Sequence, residues 1–341
     1  MTSLVVFSDL HLGALRSGGT TTSSAWNLRQ HNLKEFRVLL QAASGTDLMI
    51  LGDLYDRGNV PISDVLSTYM ALDDWLEENP GSTFYNVEGN HDKNKASNIL
   101  SSMQFLGSLL GRKYGPNQYV HIEEPMMTPY GYVIPHLVNQ DIFDDEVSKI
   151  PECDVLFLHC NIANNFAAKN DQSLNLSLEQ IAKTPCKTIL CAHEHQQRTL
   201  GKVTLPGNQL PTSISDFLGC QQKFYSEVEN GEVRLVPYLD NSTTYTEMNW
   251  KELKETDHKF IRVVGDCEAE ESGRMIQLLQ KFRNQSEAFV ITNAVNIKSE
   301  DGDIHQFEKA LEQAKTFDVL AVLKEFLDKD EVAVLEKLNA T

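Results

Sequence analysis

Short apolar runs, each followed directly by polar side chains, constrain this sequence more than any other feature. Six runs have the length of buried strands: Leu4–Ser8, Leu48–Leu51, Thr83–Val87, Tyr132–Pro135, Val155–Leu158 and Thr188–Cys191. Between them, Leu33–Ala43 and Asp64–Glu77 repeat apolar residues at helical spacing. Because strands and helices alternate, the sequence predicts an α/β fold whose strands are buried on both faces.

Aspartate, asparagine and histidine follow five of these strands at the point where each strand ends. The segments are, in chain order, Asp9-x-His11, Gly52-Asp53-Leu54-Tyr55-Asp56-Arg57, Gly89-Asn90-His91-Asp92, His159, and His193-Glu194-His195. The ends of strands in open α/β sheets form binding sites, so we expect these side chains to share one site. In an extended chain, the side chains of Asp9 and His11 would also point the same way.

The mixture of side-chain types indicates a metal site. Carboxylate, amide and imidazole groups suit manganese, iron or zinc, and the lack of thiolates argues against a structural zinc site. A single Asp-x-His is common, and one buried histidine is more often a core residue than a ligand. The ordered set, with each member placed after a predicted strand, favours the metal site over that simpler interpretation.

In this order the motifs resemble the calcineurin-like metallophosphoesterase superfamily, whose pattern is DxH, GDxxDR, GNHD or GNHE, a single His, and GHxH. The resemblance covers about residues 4–210. It implies an α/β fold built as a calcineurin-like β-sandwich flanked by helices in αββα layers, with a small C-terminal α+β cap and a helical tail. Ala192 stands where the family usually has Gly, and its methyl group would tighten a turn beside the metals.

The resemblance also implies two divalent metal ions, with Mn²⁺ expected and Mg²⁺, Fe²⁺ or Zn²⁺ as alternatives. One ion would be held by Asp9, His11, Asp53 and His195. The second would be held by Asp53, Asn90, His159 and His193. Asp53 would therefore bridge the two ions, an arrangement that clamps a phosphate between them.

Three further residues take roles in the reaction by the same resemblance. His91 would stay outside the metal shell, where it would protonate the leaving oxygen or stabilise charge on the phosphorus. Asp56 would orient His91. Arg57 would hold a phosphate oxygen, although a structural salt bridge is an equally good interpretation of this arginine.

A finer resemblance concerns the substrate. Gly89-Asn90-His91-Asp92 ends in Asp, where Ser/Thr protein phosphatases carry Glu, and Leu205–Asn208 with Thr212–Asp216 is similar to the "PGS … S" segment of the SbcD and meiotic-recombination nuclease family. The chain length suits the bacteriophage recombination-endonuclease subunits of that family. This resemblance implies a DNA exonuclease or endonuclease subunit that acts with an SbcC-type coiled-coil ATPase and forms a homodimer.

The charge of the chain sets a condition on that interpretation. Thirty basic residues face 48 acidic ones, for a net charge of −18, whereas a surface that follows DNA needs clustered Lys and Arg. The ATPase subunit would supply much of the DNA contact, and the chain itself has no GxxxxGK[ST] loop. The alternatives are a small-molecule or cyclic-nucleotide phosphodiesterase or phosphatase, which acidic composition fits more naturally, and an inactive scaffold.

We expect three regions: a metallophosphoesterase (nuclease) domain over residues 1–245, a capping domain over 246–303, and a partner-binding helical tail over 304–341. Asn241–Asp257 is predicted to be a polar linker and Ser17–Ser24 a flexible loop. Apolar residues at helical spacing in the tail fit either packing on its own domain or docking on the ATPase.

Cysteine usage and hydropathy bear on the compartment. None of the six cysteines forms a CxxC pair, so buried thiols are favoured over a zinc site. No signal segment or 18-residue apolar run is present, so we expect a cytoplasmic protein of a bacterial or phage-infected cell, without membrane contact.

Overall fold

A computed structural model describes residues 3–15, 22–94, 99–164, 173–218, 222–240 and 244–298. The predicted tail over residues 304–341 lies outside these ranges, as do residues 17–21 of the predicted Ser17–Ser24 loop. The last residues of that loop belong instead to a helix that begins at Thr22.

The first of two large sheets contains the three strands that precede the motifs of Asp9, Asp53 and Asn90. Numbered along the chain, its strands are β1 (Leu4–Phe7), β2 (Asp47–Leu51), β3 (Phe84–Val87), β4 (Tyr119–Ile122), β13 (Gln222–Glu229) and β14 (Glu232–Asp240). The strand order is β14-β13-β1-β2-β3-β4. Strands β1 to β4 are parallel, and the hairpin β13–β14 joins them antiparallel along β1.

The second large sheet carries the two later histidine motifs. Its strands are β5 (Met126–Thr128), β6 (Gly131–Ile134), β7 (Val155–His159), β10 (Thr188–Ala192), β11 (Arg198–Leu200) and β12 (Val203–Leu205). The order is β11-β12-β10-β7-β6-β5, with parallel strands in the middle and an antiparallel strand at each edge. A separate short pair joins β8 (Asn161–Ile162) and β9 (Asn175–Leu176).

Helices cover the outer faces of both sheets. They are α1 (Thr22–Ala42), α2 (Ile62–Glu78), α3 (Ser102–Tyr114), α4 (Gln140–Ser148) and α5 (Leu178–Lys183). Alternate residues of one strand face opposite layers: Leu4 and Val6 pack between the sheets, whereas Val5 and Phe7 pack with residues of α1 to α3. Strand β7 divides in the same way between the inter-sheet core and the layer of α4 and α5. The predicted αββα sandwich is confirmed.

A small parallel sheet follows the sandwich in the chain. It consists of β15 (Tyr245–Asn249), β16 (Phe260–Val264) and β18 (Val290–Asn293), in that order, with α6 (Ser272–Gln285) between the last two strands. The predicted linker over Asn241–Asp257 is therefore wrong over β15. Buried Tyr245 and Trp250 supply the apolar anchors that the polar composition of this stretch concealed.

The chain divides into two compact units. Of the described residues, the larger unit contains those up to 265 together with 274–295, and the smaller contains 266–273 and 296–298. Of the smaller unit, the structure describes the paired strands β17 (Asp266–Glu268) and β19 (Asn296–Lys298). The predicted domain boundaries after residues 245 and 303 stay predictions.

Cys160, Cys186, Cys191 and Cys267 are buried, as expected, Cys153 is half-buried, and Cys220 lies outside the described residues. Among the helices that the structure describes, none is long and apolar enough to cross a membrane.

Candidate metal centre

The loops that follow β1 and β2 run side by side and present the first two motifs together. The main-chain N–H of Asp9 donates to Gly52 O at 3.2 Å, and that of His11 donates to Asp53 O at 3.0 Å. Neither loop is extended, because Asp9, His11 and Asp53 have φ values of 52°, 45° and 52°. The expectation that an extended chain would align Asp9 and His11 is therefore wrong in its geometry, although both side chains do reach one site.

Left-handed backbone at non-glycine residues is concentrated at this site. His193, with a φ of 94°, shares it with the three residues above. Such conformations cost roughly 1–3 kcal/mol each and persist only where the surrounding structure enforces them. Four donor residues adopt this conformation. The strained backbone at these residues lowers the stability of the fold, and it directs their side chains into the site.

Asp9, His11 and His195 form a first group of donor atoms, all within 4.8 Å of one another. The Nε2 atoms of His11 and His195 lie 2.9 Å apart, and the main-chain N–H of His193 donates to both carboxylate oxygens of Asp9, at 3.1 and 3.2 Å. Burial lowers the pKa of His11 to about 3, so its ring is neutral at physiological pH. Its Nδ1 is buried without a hydrogen-bond partner among the described residues.

Asp53, His159 and His193 form a second group within the same distance limit of 4.8 Å. The Oδ1 atom of Asn90 adds to it, at 3.0 Å from His159 Nε2 and 2.9 Å from His193 Nδ1. The other ring nitrogen of His159 lies 3.0 Å from Leu51 O, which fixes the ring so that Nε2 faces the group.

Asp53 lies between the two groups. Its Oδ2 is 3.4 Å from His159 Nε2 and 3.8 Å from His11 Nε2. Burial alone would raise the pKa of Asp53, but His159 and His11 hold it well below its ordinary value. Burial likewise opposes the charge on His159, yet the Asp53 carboxylate raises the pKa of that ring to about 10.

These donors fit a pair of divalent cations. Each group combines one carboxylate with two imidazoles, and the second adds an amide oxygen. Two facing Nε2 atoms at 2.9 Å repel each other unless a proton or a cation lies between them. The structure therefore brings all the sequence-predicted ligands together, with Asp53 between the two groups, and the assignment of these residues to two ions stays a prediction.

Two glycines allow the loops to approach this closely. A Cβ atom on Gly52, whose φ is 84°, would lie 2.1 Å from His159 Nδ1. One on Gly89 would lie 2.1 Å from Asp53 Oδ1. Any larger residue at either position would displace a donor side chain. Ala192, by contrast, places its methyl group in the apolar core between the sheets, so it does not crowd the donor groups as its sequence position suggested.

His91 lies at the edge of the donor cluster. Its main-chain N–H donates to Asp53 Oδ1 at 2.9 Å, and its ring stands edge-on to that of His11 with 4.9 Å between centroids. His91 Nδ1 lies 2.6 Å from the main-chain oxygen of Asp56. Asp56 does contact His91, and the contact comes from its main chain. Its carboxylate pairs with Arg57 at 3.3 Å, and the arginine side chain is 53% exposed beside it.

Two aspartates that the motif analysis left without a role organise the site. The carboxylate of Asp92 is fully buried and accepts the main-chain N–H of Tyr55 at 3.1 Å and of Gly89 at 3.0 Å, tying together the loops after β2 and β3. Burial raises the pKa of Asp92 to about 7. Asp216 Oδ1 lies 2.9 Å from His195 Nδ1. The sequence offers one signal for Asp92, its place at the end of Gly89-Asn90-His91-Asp92.

Comparison with known proteins adds a family match. The family model described as calcineurin-like phosphoesterase matches residues 2–233. No curated protein matches the chain. Among solved structures, the chain is similar to a cold-active protein-tyrosine phosphatase of a psychrophilic Shewanella species, at 12% identity and a TM-score of 0.35, over 69% of this chain and 80% of that one.

Proposed function

This chain belongs to the calcineurin-like phosphoesterase family of metal-dependent phosphoester hydrolases, and from that premise we propose that it is a DNA nuclease that cleaves phosphodiesters at the centre between β1, β2, β3, β7 and β10. The observation that carries the hydrolytic part is the convergence of two donor groups on Asp53, with His91 beside them. We propose the residue roles and the ligand sets given above for this reaction.

The reaction follows from the positions of the side chains. Two divalent cations, bound to these donors, would supply the water that attacks phosphorus as the leaving oxygen departs, and would stabilise negative charge on the phosphoester oxygens. His91 Nδ1 lies 2.6 Å from Asp56 O, so Nδ1 carries a hydrogen, and the ring can give a proton to the leaving oxygen from Nε2 only in its doubly protonated, cationic form. Arg57 is exposed enough to hold a phosphate oxygen while it keeps its contact with Asp56.

DNA is proposed as the substrate because of the finer nuclease resemblance, and the segment that carries this resemblance lies against the centre. Ser8 N–H, directly before Asp9, donates to Gln209 Oε1 at 2.7 Å, and Ser8 Oγ donates to Gly207 O at 3.3 Å. Asn208 N–H donates to His195 O at 3.2 Å. Because this segment borders the first donor group, differences in it would alter how a substrate reaches the ions.

A small-molecule or cyclic-nucleotide phosphodiesterase is the second candidate, favoured by the net charge of −18. For a nuclease, the bound cations and an SbcC-type ATPase would have to supply the positive charge that DNA requires. We propose that the ATPase binds residues 304–341.

The first experiment compares substrates in the presence of Mn²⁺. Linear double-stranded DNA, single-stranded DNA, bis-p-nitrophenyl phosphate and a cyclic nucleotide are incubated with the wild type, alone and with a candidate ATPase subunit. We expect DNA to be degraded and the activity to disappear with EDTA. If DNA survives in every mixture while either small diester is cleaved, the nuclease proposal fails and the second candidate replaces it.

A homodimer is the other part of this proposal, and α2 and α3 offer a surface for it. Ile62, Leu66 and Met70 repeat every four residues on α2 with 69%, 56% and 49% exposure, and Phe105 and Leu109 repeat on α3 with 38% each. The two rows adjoin, because Lys113 at the end of the α3 row bonds Asp73 and Glu77, which continue the α2 row.

A patch of this kind on two neighbouring helices can pair with a second copy of itself about a twofold axis. We expect the wild type to be a dimer by light scattering and Leu66→Glu to weaken the dimer at least tenfold, since a charge would be buried in an apolar interface. Leu178→Glu is the matched control, because Leu178 is 59% exposed on α5. A wild type that stays monomeric at all concentrations would contradict the dimer.

A further inference from the structure

Asp216 is a buried carboxylate, and one of its oxygens contacts His195, a proposed metal ligand. It lies in the 3₁₀ turn Ile214–Phe217, between β12 and β13, and is 2% exposed. Its Oδ2 accepts the main-chain N–H of Thr212 at 2.8 Å and of Ser213 at 3.0 Å. Its Oδ1 is 2.9 Å from His195 Nδ1. One oxygen therefore fixes the carboxylate to its own turn, and the other is left for the imidazole.

The turn is itself held from two sides. Lys223 of β13 donates from Nζ to Asp216 O and, at 2.7 Å, to Asn208 Oδ1. On the other side, the Phe217 ring stacks on Tyr245 of β15 with 5.1 Å between centroids and 9° between planes. Phe217 also contacts Phe260 of β16, at 4.9 Å between centroids. The position of Asp216 thus depends on the first large sheet and on the small parallel sheet.

Held in this way, Asp216 determines which nitrogen of His195 faces Asp9 and His11, the other two members of the first donor group. The carboxylate accepts the Nδ1 hydrogen, so Nε2 carries the lone pair, and Nε2 is the atom 2.9 Å from His11 Nε2. His159 and His91 have main-chain oxygens in the same place, at 3.0 and 2.6 Å. A carboxylate makes the imidazole a stronger ligand than a carbonyl does.

We propose that Asp216 is a positioning residue, which selects the tautomer and orientation of His195 for the ion bound by Asp9, His11 and His195. The small parallel sheet supports it through Phe217. The proposal rests on the metal centre of the proposed function but not on DNA as the substrate.

Mn²⁺ binding without substrate tests this role. We expect isothermal titration calorimetry to resolve two ions on the wild type, and Asp216→Asn to weaken one of them by about 10–100-fold while the other keeps its affinity. Asp216→Ala should weaken the same ion further, because asparagine keeps an acceptor oxygen for His195 and alanine does not. The matched control is Asp47→Asn. Asp47 is also buried and accepts Thr83 N–H, at 2.8 Å, but lies at the opposite end of β2 from the centre.

The outcomes separate this inference from the proposed function. Selective loss of one ion in both Asp216 variants, with two ions of wild-type affinity in Asp47→Asn, supports the positioning role. Unchanged binding in the Asp216 variants overturns it and leaves the metal centre intact. Loss of both ions, accompanied by a lower melting temperature of the metal-free variants, also overturns it, because Asp216 would then serve the fold alone. A wild type that binds no Mn²⁺ overturns the metal centre and this role together.

Discussion

Replacing His91 with alanine should slow cleavage of DNA phosphodiesters by about 10²–10⁴-fold while both metal ions stay bound. The main-chain N–H of His91, which donates to Asp53 Oδ1 at 2.9 Å, is retained in the variant. Only the imidazole is removed, and with it the proton that Nε2 can deliver. Loss of a positioned general acid has its full effect when the leaving group is a poor one, as the sugar alkoxide of DNA is.

The leaving group distinguishes the two roles considered for His91. The p-nitrophenolate released from bis-p-nitrophenyl phosphate departs readily without a proton, so the His91→Ala loss should shrink to less than about tenfold on that substrate if the imidazole is a general acid. An equal loss on both substrates would instead assign His91 to stabilising charge on the phosphorus.

Two controls accompany this measurement. His258→Ala removes a half-buried histidine that contacts Thr256, away from the donor groups, and should leave the activity unchanged. Metal content matters because His91 also lies with His11 and Asp53 in a third group of donor atoms within 4.8 Å. If His91→Ala loses an ion, the histidine is a ligand and the general-acid role is wrong.

The parts of this centre that sequence could predict are those set by strand ends. Each of Asp9, Asn90 and His159 follows a short apolar run, and parallel strands bring such positions to one edge of a sheet. The sandwich follows from the same pattern, because Leu4 and Val5 alternate between two apolar layers. The pattern of apolar residues thus predicts which side chains come together, provided that their contact depends only on the strands that they follow.

The remainder depends on contacts that local pattern does not encode. Asp216 reaches His195 through a turn whose position depends on Lys223 and on the stacked Phe217, both of which are brought there by other elements. The left-handed φ of Asp9 and Asp53 reverses the ordinary preference of non-glycine residues. Tertiary contacts enforce it, so propensity could only predict the extended chain that the structure does not have. In the same way, part of the polar stretch that was predicted to be a linker forms β15, because Tyr245 is buried in the folded structure.

Replacing Asp53 with asparagine should remove both metal ions and reduce activity on every phosphodiester by roughly 10³-fold or more, since several kcal/mol of transition-state stabilisation depends on the ions. Asparagine keeps the size of the side chain and one oxygen, so Oδ1 can still accept His91 N–H. It replaces the other oxygen, which is 3.4 Å from His159 Nε2 and 3.8 Å from His11 Nε2, by an NH₂ group that cannot bind a cation.

Asp9→Asn is the matched comparison for this variant. Asp9 belongs to the first donor group only, whereas Asp53 lies with His11 on one side and with His159 and His193 on the other. Bound manganese, measured by elemental analysis after equilibrium dialysis, should therefore fall from two ions to one in Asp9→Asn and to none in Asp53→Asn. The wild type treated with EDTA should match Asp53→Asn in activity.

Thermal unfolding gives the same comparison without substrate. A ligand that binds the native state stabilises it by RT ln(1 + [L]/Kd), about 2.7 kcal/mol at a concentration of 100 Kd. Mn²⁺ should accordingly raise the melting temperature of the wild type, raise that of Asp9→Asn less, and leave that of Asp53→Asn unchanged. One ion retained by Asp53→Asn would show that this carboxylate serves a single site. The two donor groups would then bind their ions independently, and a phosphate would not be clamped between ions that share a ligand.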